Sequence, residues 1–105
     1  MKVLLVRPPV PTHTIGLKNI MICEPLELEY IAGNLQQHDC MIFDHLVEKG
    51  FEKRFKAFDP DIVVGSCYKT GTNEVIKIFR KVKTWKRDCI TIVGGVHATL
   101  VPEDF

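Results

Sequence analysis

Several short stretches carry residue types that could do chemistry. IVGGVHAT (92–99) ends an apolar run on Gly94 and Gly95, with His97 two positions further on. Adjacent glycines at a strand end remove both side chains where something must come close to the backbone. SCYKTGTNE (66–74) supplies Ser66, Tyr68, Thr70 and Thr72 around Gly71, just ahead of a helical pattern. The free N–H groups and dipole of a helix start favour an anion there, so Thr70, Gly71 and Thr72 are candidates for holding a phosphate. The loop that opens with Pro8 and Pro9 contains His13 and Gly16, and Asp44-His45 closes another apolar run. Cys23, Cys40, Cys67 and Cys89 are widely spaced, with no C-x-x-C pair and no histidine at ligand spacing. They are expected to be reduced, mostly buried thiols rather than metal ligands.

These stretches need elements to position them. KVLLV (2–6), CMIF (40–43), DIVVGSC (61–67) and CITIVGG (89–95) are short continuous apolar runs, the pattern of strands buried on both faces. Helical spacing lies between them. PLELEYIAGNLQQH opens with Pro25 and sets Leu28, Ile31 and Leu35 on one face, with Glu24, Glu27 and Glu29 placed to favour the dipole. Val47, Phe51, Phe55 and Phe58 form a second stripe that stops before Pro60. Val75, Phe79, Val82 and either Trp85 or Lys86 form a third, with Thr72 expected as N-cap.

Alternating strands and helices predict a three-layer, flavodoxin-like or Rossmann-like α/β fold: a parallel sheet of four strands in the order 2-1-3-4. Ligands of such sheets sit outside the carboxyl ends of the strands, where strand order reverses. The connections at that end are the informative ones. RPPVPTHTIGLKNIMICE is an 18-residue link, longer and more apolar than a simple solvated loop requires. It should converge with SCYKTGT and GGVHAT on one crevice. The fourth strand is expected at an exposed edge with Ile90 and Ile92 poorly covered, open to self-association.

Composition excludes other classes. With 105 residues, 46% apolar and net charge +1, the chain reads as one small globular domain. KIFRKVKTWKR (77–87) holds six basic residues, but overall charge is balanced and no aromatic platform accompanies them. A solvated helix face is expected, not a nucleic-acid site. No apolar run approaches the ~20 residues of a membrane span, and MKVLLVRPP is a poor signal peptide, so a cytoplasmic location is expected.

Taken in order, KVLLVRPP, PLELEYIAGNL, the strand ending in Asp44, PDIVVGSCYKT and IVGGVHATLVPE resemble the cobalamin-binding domain that precedes the catalytic barrel of radical S-adenosylmethionine enzymes. The resemblance runs over essentially the whole chain, residues 1–105, and implies cobalamin as cofactor. It implies that the nucleotide tail enters the crevice past a serine after strand three and a Gly-Gly pair after strand four. Carried over, the cofactor-binding residues are Pro8, Pro9, Ser66, Tyr68, Thr70, Gly94, Gly95 and His97. The family usually adds a fifth strand, which these residues do not supply. The 4Fe-4S cluster and S-adenosylmethionine are expected only in a parent protein with a radical catalytic domain, and no catalysis from this chain alone.

The sequence departs from the D-x-H-x-x-G pattern of many cobalamin domains. Pro11-Thr12-His13-Thr14-Ile15-Gly16 keeps the histidine and glycine but lacks the aspartate that orients the ring. His13 is therefore read as an ordinary loop histidine, with no metal ligand assigned. Two other readings remain open: an FMN or nucleotide module using Thr70, Gly71 and Thr72 as in the flavodoxin phosphate loop, or a non-binding domain with a structural role. A receiver domain is excluded, because Arg7-Pro8-Pro9 and Ser66-Cys67 stand where that fold needs carboxylates.

Overall fold

The computed structural model describes residues 1–10, 25–68 and 71–105. Its order is β1 (Lys2–Arg7), α1 (Leu26–Asn34), β2 (Asp39–Asp44), α2 (Phe51–Phe58), β3 (Ile62–Ser66), α3 (Thr72–Trp85), β4 (Ile90–Gly94), the short α4 (Val96–Leu100) and a 3-10 turn over Pro102–Asp104. All strand pairs are parallel and the sheet order is β2-β1-β3-β4, as the alternation predicts. No helix among the described residues is long and apolar enough to cross a membrane.

Strand alternation sorts the side chains onto two faces. Leu4, Val6, Phe43 and Val63 point to the side carrying α2 and α3, where Phe55, Ile78 and Val82 complete a core. Each such buried side chain contributes about 1.5–3 kcal/mol. Phe51, Phe55 and Trp85 lock the two helices together, with centroids 5.9 Å apart for Phe51 and Trp85 and 5.3 Å for Phe55 and Trp85.

The opposite face, the α1 face, is less covered. Val3, Leu5 and Leu28 are buried there, with Ala32, Leu35, Cys40, Ile42, Ile62 and Val64 packed against them. Helix α1 stands over β1 and β2, and β4, last in the sheet order, leaves Ile90 and Ile92 49% and 47% exposed.

Three helix assignments change in detail. Ile31 is exposed while Ala32 reaches the sheet, because the buried stripe of α1 runs 28, 32, 35. Val47 lies in a turn and is exposed; Gly50, at φ +81°, separates it from α2. Thr72 is the first residue of α3, and Gly71 takes the N-cap position without a side-chain cap bond.

Candidate functional site

The ends of β1, β3 and β4 do meet. A Cβ placed on Gly71 would lie 3.6 Å from Pro8 Cγ, which joins the β1 exit to the start of α3. The Cys67 amide donates to the Gly94 carbonyl at 2.9 Å, which joins the β3 exit to β4. Pro8 and Pro9 are partly buried, Ser66 is partly buried and Tyr68 is 66% exposed. Thr70, His13 and Gly16 lie outside the described residues.

The two glycines are structurally different. Gly95 has φ +111° and ψ 179°, a region that side-chain-bearing residues avoid. A Cβ there would lie 2.6 Å from the Cys67 carbonyl oxygen. The group that approaches Gly95 is thus the neighbouring chain at the end of β3. Gly94 is the last residue of a regular strand, and a Cβ on it would meet nothing within 4 Å among the described residues. Among the described residues no packing contact requires a glycine at 94.

Register aligns the candidate site in rows. On the α1 face, Cys40, Val3, Ile62 and Ile90 form one row, and Ile42, Leu5, Val64 and Ile92 the next. The carboxyl row above them continues as Asp44, Arg7, Ser66 and Gly94, with Arg7 paired to Asp44 and Ser66 to Gly94. Below Ser66 and Gly94 by one pleat repeat, ~6.6 Å, Val64 and Ile92 line a hollow of about 210 Å³ with Met1, Val3, Leu35, His38 and Ile62. No residue of the carboxyl row lines this hollow, and Met1 and His38, which precede β1 and β2, place its other end at the amino side of the sheet.

His97 does not stand at the rim. It is buried on α4, where its Nε2 bonds the Asp104 carboxylate at 2.7 Å and its ring meets Phe105 edge-on. Sequence reading also missed the partner of Asp44. Arg7 Nε donates to Asp44 Oδ1 at 2.9 Å, and Arg7 Nη2 donates to Asp44 Oδ2. An arginine and an aspartate, each ending a predicted strand, become neighbours once the order 2-1 is known.

His45 turns to the other face and packs on Phe43 and Phe51. Its Nδ1–H donates to the Arg7 carbonyl at 2.9 Å. Burial pushes its pKa below the ordinary 6.5 and Lys81 adds to this, against the Arg7 carbonyl, Asp44 and Glu48, which favour the charged ring. Its folded pKa is therefore below its unfolded one. The stability it contributes is present above pH ~6.5 and is lost as pH falls through the folded value. Urea midpoints should decline from about pH 6.5 downward, and His45→Phe should flatten that part of the curve; an unchanged slope would reject the assignment.

A loop phosphate site fits less well. The Gly71 amide already donates to the Tyr68 carbonyl at 2.9 Å, so one N-terminal donor of α3 is spent. The carboxylate that ends β2, which a dinucleotide fold would turn to a ribose, is held by Arg7.

Comparison with known proteins decides between these readings. The family model described as "B12 binding domain" matches residues 12–105. The chain belongs to the B12-binding domain family. Its cofactor is cobalamin. The domain is 31% identical, over 98% of its length, to an uncharacterized methyltransferase of Pyrococcus horikoshii, and 34% identical, over 99%, to the hopanoid C-3 methylase of Methylococcus capsulatus. It spans only 23% and 21% of those proteins. No solved structure matches it significantly.

The residues present fit the cofactor at two points. Gly94 leaves open space where a Cβ would stand, with nothing within 4 Å among the described residues, and the hollow on the same face is apolar. At about 210 Å³ the hollow is smaller than the ~300–1,000 Å³ pockets that enclose whole ligands.

Proposed function

We propose that this B12-binding domain holds cobalamin by its nucleotide tail, with the base running down the α1 face between β3 and the β4 edge. The observation that carries the reading is the open position at Gly94, a glycine that neither its backbone angle nor packing among the described residues requires. Ser66, its register partner, offers a hydroxyl at the same level, and Val64 and Ile92 below present an apolar wall to the aromatic base. Pro8, Pro9 and Tyr68 flank the rim, where the corrin would rest. Gly95 serves the site indirectly by letting β3 and β4 close together beneath it. Thr70 stays in the proposed binding set by resemblance; His97, enclosed by Asp104 and Phe105, leaves it.

The whole protein, on this reading, is a radical S-adenosylmethionine enzyme in which the corrinoid takes part in methyl transfer. The names of the two relatives, a methyltransferase and a methylase, support this, as does the short share of each that the domain spans. The iron–sulfur cluster and S-adenosylmethionine would belong to the catalytic domain. When bound, cobalamin would supply a cobalt-borne methyl group. This domain's own residues bind the tail, keep the base dry and orient the cofactor.

The test is uptake. The purified chain, incubated separately with hydroxocobalamin and with FMN and then desalted, should retain the corrin absorbance and not the flavin's. Retained flavin alone would favour the Gly71–Thr72 loop, and retention of neither would favour a structural role.

A further inference from the structure

The carboxyl row of the α1 face contains one cation, Arg7, and no role in binding has been assigned to it. Arg7 ends β1, the strand adjacent to β3, and alternation puts its side chain on the face that carries Ser66 and Gly94. Adjacent parallel strands lie ~4.8 Å apart, so the Arg7 backbone stands one strand from Ser66 and two from Gly94, while its guanidinium leans toward β2, where Asp44 holds it. Its side chain is only 15% exposed, and Asp44 holds it through Nε and Nη2. That two-point grip fixes the plane of the fork. A guanidinium carries five N–H donors; Asp44 takes two. Among the described residues no bond is formed by Nη1.

The anchor of this arrangement is itself well fixed. Asp44 Oδ1 also accepts the Leu46 amide at 2.9 Å, and the Asp44 amide donates to Glu48 at 3.1 Å. The Arg7 carbonyl accepts both the amide of His45, at 3.1 Å, and its Nδ1–H. Main chain and side chain of Arg7 are therefore both tied before any ligand arrives. A preorganised, partly dehydrated guanidinium loses little entropy on taking an anion and matches a phosphate geometrically.

Resting on the proposed placement of the tail, we infer that Arg7 binds the phosphodiester of the cobalamin nucleotide loop through Nη1, with Asp44 as its positioning residue. Cobalamin carries one phosphodiester, between the corrin side chain and the ribose. With the base in the slot and the corrin outside, that anion must cross the rim where Ser66 and Arg7 stand. Arg7 thereby becomes the residue that distinguishes a complete cobalamin from a corrinoid without its tail.

The experiment compares hydroxocobalamin with cobinamide, which has the corrin but neither phosphodiester nor base. Removing Arg7 alone would strand Asp44 in a buried site and could unfold the chain, so the working variant is Arg7→Met/Asp44→Leu, an apolar replacement of the pair that folds tend to tolerate. Arg7→Lys keeps the charge and loses the fork. Thermal melts verify folding, and affinities are read by absorbance titration. The wild type should prefer hydroxocobalamin over cobinamide. The double variant should lose at least tenfold for hydroxocobalamin, the scale of one charge-assisted hydrogen bond, and stay within twofold for cobinamide; Arg7→Lys should fall between. A role in folding alone would weaken both corrinoids equally, and that outcome overturns the inference, as does a double variant that keeps wild-type preference. A wild type with no preference for the complete cofactor, or with no binding at all, overturns the tail placement and this inference with it. Lost preference in the variant alone cannot be read that way.

Discussion

Gly95→Val is expected to unfold the domain or bring it to the brink. The backbone at 95, with φ +111° and ψ 179°, lies in territory essentially reserved for glycine, where a side chain costs of order 1–3 kcal/mol. The contact adds to this. A Cβ would sit 2.6 Å from the Cys67 carbonyl oxygen and 3.1 Å from its nitrogen, and both are backbone atoms that cannot swing aside. Overpacking of that kind costs ~1–3 kcal/mol more. The Cys67 amide is bonded to Gly94, so relief by moving the chain would sacrifice the bond that closes β3 onto β4. Against a total stability of about 5–15 kcal/mol, and with ~4–8 °C of melting temperature per kcal/mol for a domain of this size, the melt should fall by 10 °C or more. Circular dichroism melts of the ligand-free chain measure this. A variant melting within about 3 °C of the parent would mean that Gly95 is not a structural necessity.

How much of this could be read from the residues alone depends on whether the information is local. The four apolar runs and the amphipathic stripes between them are local, and they lead directly to the element order and the parallel sheet. The carboxyl-end crevice follows from topology. Errors arose where a stripe extends past its element, as at Val47, whose spacing fits α2 although Gly50 breaks the chain first. The Gly-Gly pair shows the limit most clearly. Its position at a strand end was legible, but which glycine answers to the fold depends on where Cys67 lies, 28 residues earlier in the chain. Arg7 and Asp44 are likewise 37 positions apart, and only the strand order makes them neighbours. His97 is close to Gly95 in sequence and is carried over with it by resemblance, whereas Asp104 and Phe105 enclose it in the fold.

Gly94→Val should have the opposite effect from its neighbour: unchanged or slightly improved stability, and loss of cobalamin. Position 94 is ordinary strand backbone, paired with Ser66, and an added Cβ meets nothing within 4 Å among the described residues. Valine is favoured over glycine in a strand and restricts the unfolded chain, effects worth up to ~1 kcal/mol. If the open space belongs to the base of the cofactor, a β-branched side chain with little rotamer freedom fills its entrance. Hydroxocobalamin affinity should then drop at least tenfold, equivalent to ~1.4 kcal/mol, with Gly94→Ala losing less because it fills less. Cobinamide, having no base to insert, should bind both variants as it binds the parent. This comparison separates a blocked slot from general damage to the rim, since damage would lower both affinities. If Gly94→Val binds hydroxocobalamin within threefold of the parent, the space beside Gly94 is not the entrance, and the tail must reach the α1 face by another path.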